Sequence, residues 1–289
     1  MRGLALGGLL LTALSGCATT GWADRIPVRL TGAQIPTELV ESWLDGAKGY
    51  DFVPERPVNP TWSQVGFQAL ARGECDIACT DRRVEPRELE QFAGRELRGY
   101  RVAFYGYALY VHPDNPVDSI FARHISLVFQ KKITDWKELA GGTPPIWEGP
   151  IRLYGPHKMT RGGDILMRQA NVWFAQPTWE TLDSDAQIVE RVAADPQALG
   201  FASIGFEDGV RYLGIRMRRT GKPAFPSLEE IEREDYGLAK VIYVYFVAPP
   251  DRAAAAVLEY LFSPEGQQAI EQTQVWPIPR ERAEVPSTP

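Results

Sequence analysis

The feature that most constrains this chain is a regular exchange between two apolar periods. Short strand-like runs at 27–30, 50–53 and 76–79 alternate with segments whose apolar residues recur at helical spacing, as Leu39, Val40, Trp43 and Leu44 do. Such alternation predicts helices on both faces of a mainly parallel sheet, with ligands received beyond the carboxyl ends of the strands. The punctuation agrees. Pro36 suits the first residue of a helix, Gly46 its end, and Ser63 the position in front of a second helix carrying Phe67 and Leu70.

The pattern then starts again. A long apolar and aromatic run at 102–111 is stopped by His112-Pro113-Asp114-Asn115-Pro116. Beyond it lie a unit at 121–129, a helix at Trp136, a strand at 151–154 and a helix after Gly163. Residues 186–194 form an amphipathic helix with Ile188, Val189 and Val192 inward, followed by a strand through Ser203, an apolar strand at 241–247 and a helix at 251–262. Two lobes are expected. The Pro-rich tail after Arg280 is expected to be loose.

The first residues concern location. Met1-Arg2, an apolar run at 4–14 and Leu14-Ser15-Gly16-Cys17 combine a positive start, a run too short to span a bilayer, small residues and a lipid-accepting Cys. This predicts a bacterial lipoprotein signal at 1–16, with Cys17 acylated and 17–26 as a tether. Gly7, Gly8 and Gly16 argue against a buried helix there. No second run reaches transmembrane length, so lipid alone would hold the body to a membrane, on its extracytoplasmic side. The net charge of −6 and the lack of a basic stripe interleaved with aromatics exclude a nucleic-acid footprint. A small anion remains open to an acidic chain, because its recognition depends on local donors.

Cys75 and Cys79 flank Asp76-Ile77-Ala78. Along a strand their Cα atoms stand about 13 Å apart, past disulfide reach, so both read as buried thiols. With His112, His124 and His157 the only histidines, a zinc site lacks ligands. There is no G-x-S-x-G, H-E-x-x-H, P-loop or G-x-G-x-x-G phrase in a fitting context, and the chain reads as no enzyme. Tyr105, Tyr107, Tyr110, Trp136, Trp173 and Trp276 suit either a stacking cleft or a core.

Several phrases carry a family resemblance. Phe129-Gln130-Lys131-Lys132-Ile133-Thr134-Asp135-Trp136-Lys137-Glu138-Leu139 precedes a strand and the loop Thr160-Arg161-Gly162-Gly163, and near the end come Ser263-Pro264-Glu265-Gly266-Gln267 and Val275-Trp276-Pro277-Ile278-Pro279. Together they resemble the phosphate-binding periplasmic (solute-binding) proteins of ABC transporters, in lipoprotein form. The resemblance implies a two-lobed Venus-flytrap fold of type II, each lobe a mixed, mainly parallel sheet flanked by helices. By the same resemblance lobe 1 is 27–105 plus 241–289 and lobe 2 is 106–240.

It also implies a site. Thr31 to Pro36 matches the first ligand loop, with Gln34 where relatives hold a small hydroxyl residue and Ile35 giving its backbone N–H. Ser63 matches the second loop, and Asp76-Ile77-Ala78-Cys79-Thr80-Asp81 places Asp81 at the carboxylate that contacts phosphate. A carboxylate only accepts hydrogen bonds, so it welcomes an oxyanion bearing a proton and repels one without. In the third loop Pro156 stands where relatives carry Arg, leaving Thr160, Arg161 and Gly162, with Arg161 replacing the guanidinium. Read alone, Asp81 serves equally as a helix cap or a partner of Arg82 or Arg83, and Arg161 as a partner of Asp164. His157 and Lys158 are candidates for added charge at the mouth.

The expected function is capture of inorganic phosphate between the lobes by a monomer and its delivery to permease subunits, with no cofactor. The alternatives are another oxyanion or small organic anion, or a sensing or scaffolding lipoprotein on the same fold.

Overall fold

Leu30–Ala33, Asn59–Thr61 and Ile77–Thr80 are parallel neighbours, the first two leading into helices, whereas the strand expected at 50–53 is Phe52–Pro54 and pairs with Ile26–Val28 in a separate sheet. The computed structural model describes residues 25–139, 147–170, 178–217, 221–233 and 235–285. Cys17, the apolar run before it, most of the tether and Trp173 lie outside the described residues.

The main sheet runs Asn59–Thr61, Leu30–Ala33, Ile77–Thr80, Ala239–Val247, Leu97–Val111, Ala198–Ser203, Arg152–Pro156, Glu180–Leu182. Its outer strands are parallel, as expected of each lobe, whereas its centre is antiparallel. Leu97–Val111 causes both features. Its first part pairs with Ala239–Val247, from Leu97 opposite Val247 to Gly106 opposite Ala239, and its last part pairs with Ala198–Ser203, from Tyr107 opposite Ser203 to Val111 opposite Leu199. One strand thus belongs to both halves, and the handover falls between Gly106 and Tyr107.

Two apolar clusters fill the molecule, one confined to the first half and one that spans both. Leu39, Val40 and Trp43 of the helix Gln34–Asp45 meet Val257 and Leu261 of Arg252–Leu261 over Ile77, Val102, Ile242 and Val244. Two polar groups buried here are paired, Trp43 Nε1 donating to Thr273 Oγ1 (2.9 Å) and the Tyr260 hydroxyl to the Trp43 carbonyl (2.9 Å), whereas the buried Thr37 hydroxyl of the same helix has no partner among the described residues. In the other half Ile188 and Val192 pack with Leu199 and Phe201. Both cysteines are buried and free, and burial pushes the Cys75 thiol up to about 12, so it stays protonated.

Two expectations are corrected. The first helix begins at Gln34, two residues before Pro36, because the chain turns helical directly from the strand and Ala33 adds no side-chain cap. The tail after Arg280 is not loose through Val285. A short helix, Arg280–Ala283, buries Ala283 completely, Arg101 donates to the Arg282 carbonyl, and Val285 N–H reaches Gly99 O (2.9 Å).

After Asp81 the chain is held by a buried ion pair. Arg82 donates twice to Glu88 (2.8 and 2.7 Å), whose Oε2 also takes the Glu85 N–H (2.8 Å). Burial opposes ionisation of Glu88, but these donors outweigh it and hold the carboxyl below its ordinary range. Arg82→Met leaves that charge unpaired, and the expected cost is about 1–3 kcal/mol in urea unfolding, reduced from a fully buried pair because Arg82 is one-third exposed. The sign follows from the depressed pKa. The contribution is whole above the unfolded value near about 4.3 and fades as pH falls through the lower folded value. The stability gap between wild type and variant must therefore close in acid.

Candidate functional site

Three helices of the two halves begin at one cleft of about 850 Å³: Gln34–Asp45, Ser63–Arg72 and Arg161–Ala170. First-turn N–H groups have no partner within a helix. Neither Ala33 nor Trp62 caps its helix with a side chain, so those of the first two helices are left for the cleft. Glycine makes the convergence possible. Gly32 sits at φ 136° with its Cα side against the Cys79 carbonyl, and the helix carrying Gly66 approaches it closely enough that a Cβ on Gly66 would stand 2.9 Å from Gly32 Cα.

Gln34, Ile35, Ser63, Asp81, Thr160 and Arg161 all line this cleft. Gly162 does not. Its place is under the Tyr107 ring, where a Cβ would come within 2.6 Å of Cε1, so it lets the third helix lie against the long strand. Ser63, expected in front of its helix, is the first helical residue. It is buried and donates to Asp81 Oδ1 (2.7 Å), while Asp81 N–H reaches Ser63 Oγ (3.3 Å). Asp81 thus neither caps a helix nor joins an ion pair among the described residues, and Arg82 turns away to Glu88.

The third loop differs from expectation in detail. The Thr160 hydroxyl donates to the His157 carbonyl (2.7 Å) and accepts the Gly163 N–H (3.1 Å), so it is spent on capping its own helix. Arg161 is exposed and holds no hydrogen bond or ion pair among the described residues. Asp164, its alternative partner, bonds Arg168 instead (2.8 Å). His157 pairs with Asp183 (3.2 Å), and neither it nor Lys158 lines the cleft.

Charge in the cleft is uneven. Of the lining carboxylates, Glu38 accepts from Gln34 (3.2 Å), Asp81 from Ser63 and Asp164 from Arg168. Among the lining cations, Arg82 and Arg168 are engaged, whereas Arg161 and Lys240 have no acidic partner among the described residues. The amide and hydroxyl bonds leave Glu38 and Asp81 as carboxylates, so Arg161 and Lys240 are the cations an anion entering the cleft can meet. No group of three or more His, Cys, Asp or Glu able to hold a metal occurs among the described residues.

Sequence reasoning missed Lys240 and left Tyr105 among ambiguous aromatics. The signal for Lys240 was a charge at the head of an otherwise apolar strand. Of the other aromatics, Tyr110 and Trp136 are fully buried, Tyr107 stacks on Phe201 (5.2 Å) and Trp276 on Phe104 (5.6 Å). These belong to the core. Among the described residues of that set, Tyr105 alone lines the cleft.

A sequence profile of the PBP superfamily domain matches residues 18–265. Over 272 residues the chain is 22% identical to the phosphate-binding protein PstS of Pseudomonas aeruginosa, covering 88% of this chain and 83% of that one. Its fold matches the crystal structure of "a possible phosphate binding protein" from Planctomyces limnophilus with a TM-score of 0.68, at 17% identity over 89% of this chain and 94% of that one. PstS from Borrelia burgdorferi matches with a TM-score of 0.60, at 15% identity over 88% and 99% of the two chains.

Proposed function

The chain belongs to the PBP superfamily, and from that premise we propose that it is the substrate-binding protein of a phosphate ABC uptake system, taking inorganic phosphate into the cleft and delivering it to permease subunits. One observation carries the reading: Asp81, Arg161 and the starts of three helices share a single cleft, in which Arg161 and Lys240 have no acidic partner among the described residues. The N–H groups of Gln34 and Ile35 and the Gln34 amide meet one side of the oxyanion. Ser63 and Asp81 hold its proton-bearing side, and Arg161 closes from the other half with two parallel N–H donors. Thr160 and Gly162 act indirectly, the one capping and the other seating the helix that presents Arg161.

Lobe 1 is 27–105 with 241–289 and lobe 2 is 106–240, hinged where Gly106 hands over to Tyr107 and where Leu238 leads into Ala239–Val247. Tyr107 N–H to Leu238 O (3.0 Å) ties the two crossings together, which supports a hinge of two adjacent strands. Ligand contacts from both lobes favour the closed form, and the permease reads that form. The protein works as a monomer without cofactor or catalysis, outside the cytoplasmic membrane, with lipid on Cys17 as its anchor. Among the described residues no helix is long and apolar enough to cross a membrane.

The test is thermal unfolding of the unlipidated protein with phosphate, sulfate, molybdate and carboxylates. A ligand bound only by the folded state at a hundred times its Kd adds about 2.7 kcal/mol, so phosphate should raise the melting temperature and carboxylates should not. Arg161→Ala, exposed and unpaired, should leave the ligand-free melting point unchanged and weaken phosphate by about tenfold or more. No shift with any anion overturns the reading.

A further inference from the structure

At the floor of the cleft, where the two halves share their central strands, Lys240 and Tyr105 stand directly opposite each other in the antiparallel ladder. Opposed residues of such a pair point to the same face of the sheet, and both of these line the cleft. Tyr105 is 6% exposed as a whole, and its hydroxyl, which has no hydrogen-bond partner among the described residues, belongs to a residue that lines the cleft, where a ligand can meet it. Burial pushes that phenol up, Asp81 adds to the rise and Arg161 opposes it, so the hydroxyl lies within the field of the two groups assigned to the ligand. Lys240 is exposed and has no acidic partner among the described residues.

We propose that Lys240 and Tyr105 are ligand residues of the cleft floor that set its charge preference. Lys240 supplies a second cation toward a doubly charged tetrahedral oxyanion, and Tyr105 donates its hydroxyl to one of the oxyanion's oxygens. The inference rests on the oxyanion reading above and adds to it. Arg161 supplies one guanidinium, and the Asp81 carboxylate bonded to a neutral hydroxyl offsets it, so a further cation favours a doubly charged oxyanion such as hydrogen phosphate. Lys240 brings that cation from a different element, the strand Ala239–Val247, and a phenol kept protonated by its surroundings is a fixed donor beside it.

Isothermal titration of inorganic phosphate into wild type, Lys240→Met, Lys240→Arg and Tyr105→Phe decides the matter. Lys240→Met keeps the apolar stem and is expected to weaken phosphate about tenfold to a hundredfold. Lys240→Arg should bind within a fewfold of wild type, and Tyr105→Phe about tenfold more weakly. Ligand-free melting temperatures should not move in either lysine variant. The dependence of Kd on ionic strength should flatten in Lys240→Met, a signature of a lost charge that a structural role would not give. If wild type binds phosphate and both Lys240→Met and Tyr105→Phe bind it within twofold of wild type, the floor residues are not ligand residues and the phosphate reading survives. If wild type binds no phosphate, both fall together.

Discussion

Gly32→Ala is expected to unfold this protein or to lower its stability by about 4 kcal/mol or more. Gly32 has φ 136°, a region that L side chains rarely adopt, and a Cβ there would lie 1.9 Å from the Cys79 carbonyl oxygen. That oxygen belongs to the neighbouring strand, since Gly32 and Cys79 are register partners, and it cannot swing aside as the end of a side chain would. Relief requires the two strands to part, and the helix beginning at Gln34 leaves from one of them. On the other side Gly66 approaches Gly32 Cα, so shifting the strand toward the second helix is closed as well. Urea unfolding with a circular dichroism readout measures the loss. Gly49→Ala is the control, because it also has a positive φ (88°) but open space around it, and should cost only about 1–2 kcal/mol. Equal losses at the two positions would show that conformation, and not the close strand approach, dominates.

The sequence made this region legible in outline. The run before Thr31 and the hydrophobic period after Pro36 predicted a strand leading into a helix, and both are present, but the strand runs on to Ala33 and the helix begins at Gln34. The positive φ at Gly32 was not readable, since it follows from a neighbour 47 positions away in register. The same limit explains the long strand. Residues 97–101, Leu-Arg-Gly-Tyr-Arg, gave no continuous apolar run, yet they are extended because Ala239–Val247 pairs with them across the sheet. Asp81 and Arg161 were singled out because local phrases mark them, and both line the cleft. Thr160 carried the right hydroxyl in the right loop, and only geometry reveals that His157 and Gly163 consume it. Tyr105 and Lys240 meet through pairing over 135 positions, which no local pattern encodes. What was legible is therefore what neighbours in sequence determine, and what was hidden is set by which strands lie side by side.

Asp81→Asn should change the preference of the cleft for phosphate over sulfate by about a thousandfold, and the change should come from both ligands. At neutral pH hydrogen phosphate keeps a proton, and sulfate has none. The Asp81 carboxylate, held by the Ser63 hydroxyl at 2.7 Å, can only accept, so it gains a charge-assisted bond from the proton of phosphate and meets sulfate with like charge. An Asn at 81 retains an oxygen for Ser63, which preserves the local geometry, and turns its amide toward the cleft as a donor. Phosphate then loses about tenfold or more from the missing acceptor, while sulfate gains from the removed repulsion and the new N–H. Titration of both anions into wild type and variant separates the two contributions. Ser63→Ala supplies the comparison: it frees Asp81 to move but leaves its charge, so phosphate should weaken a fewfold while sulfate stays excluded. Sulfate excluded equally by Asp81→Asn would mean that the size and donor pattern of the cleft, and not this single acceptor, exclude it, and that Asp81 serves to hold Ser63 at the start of its helix.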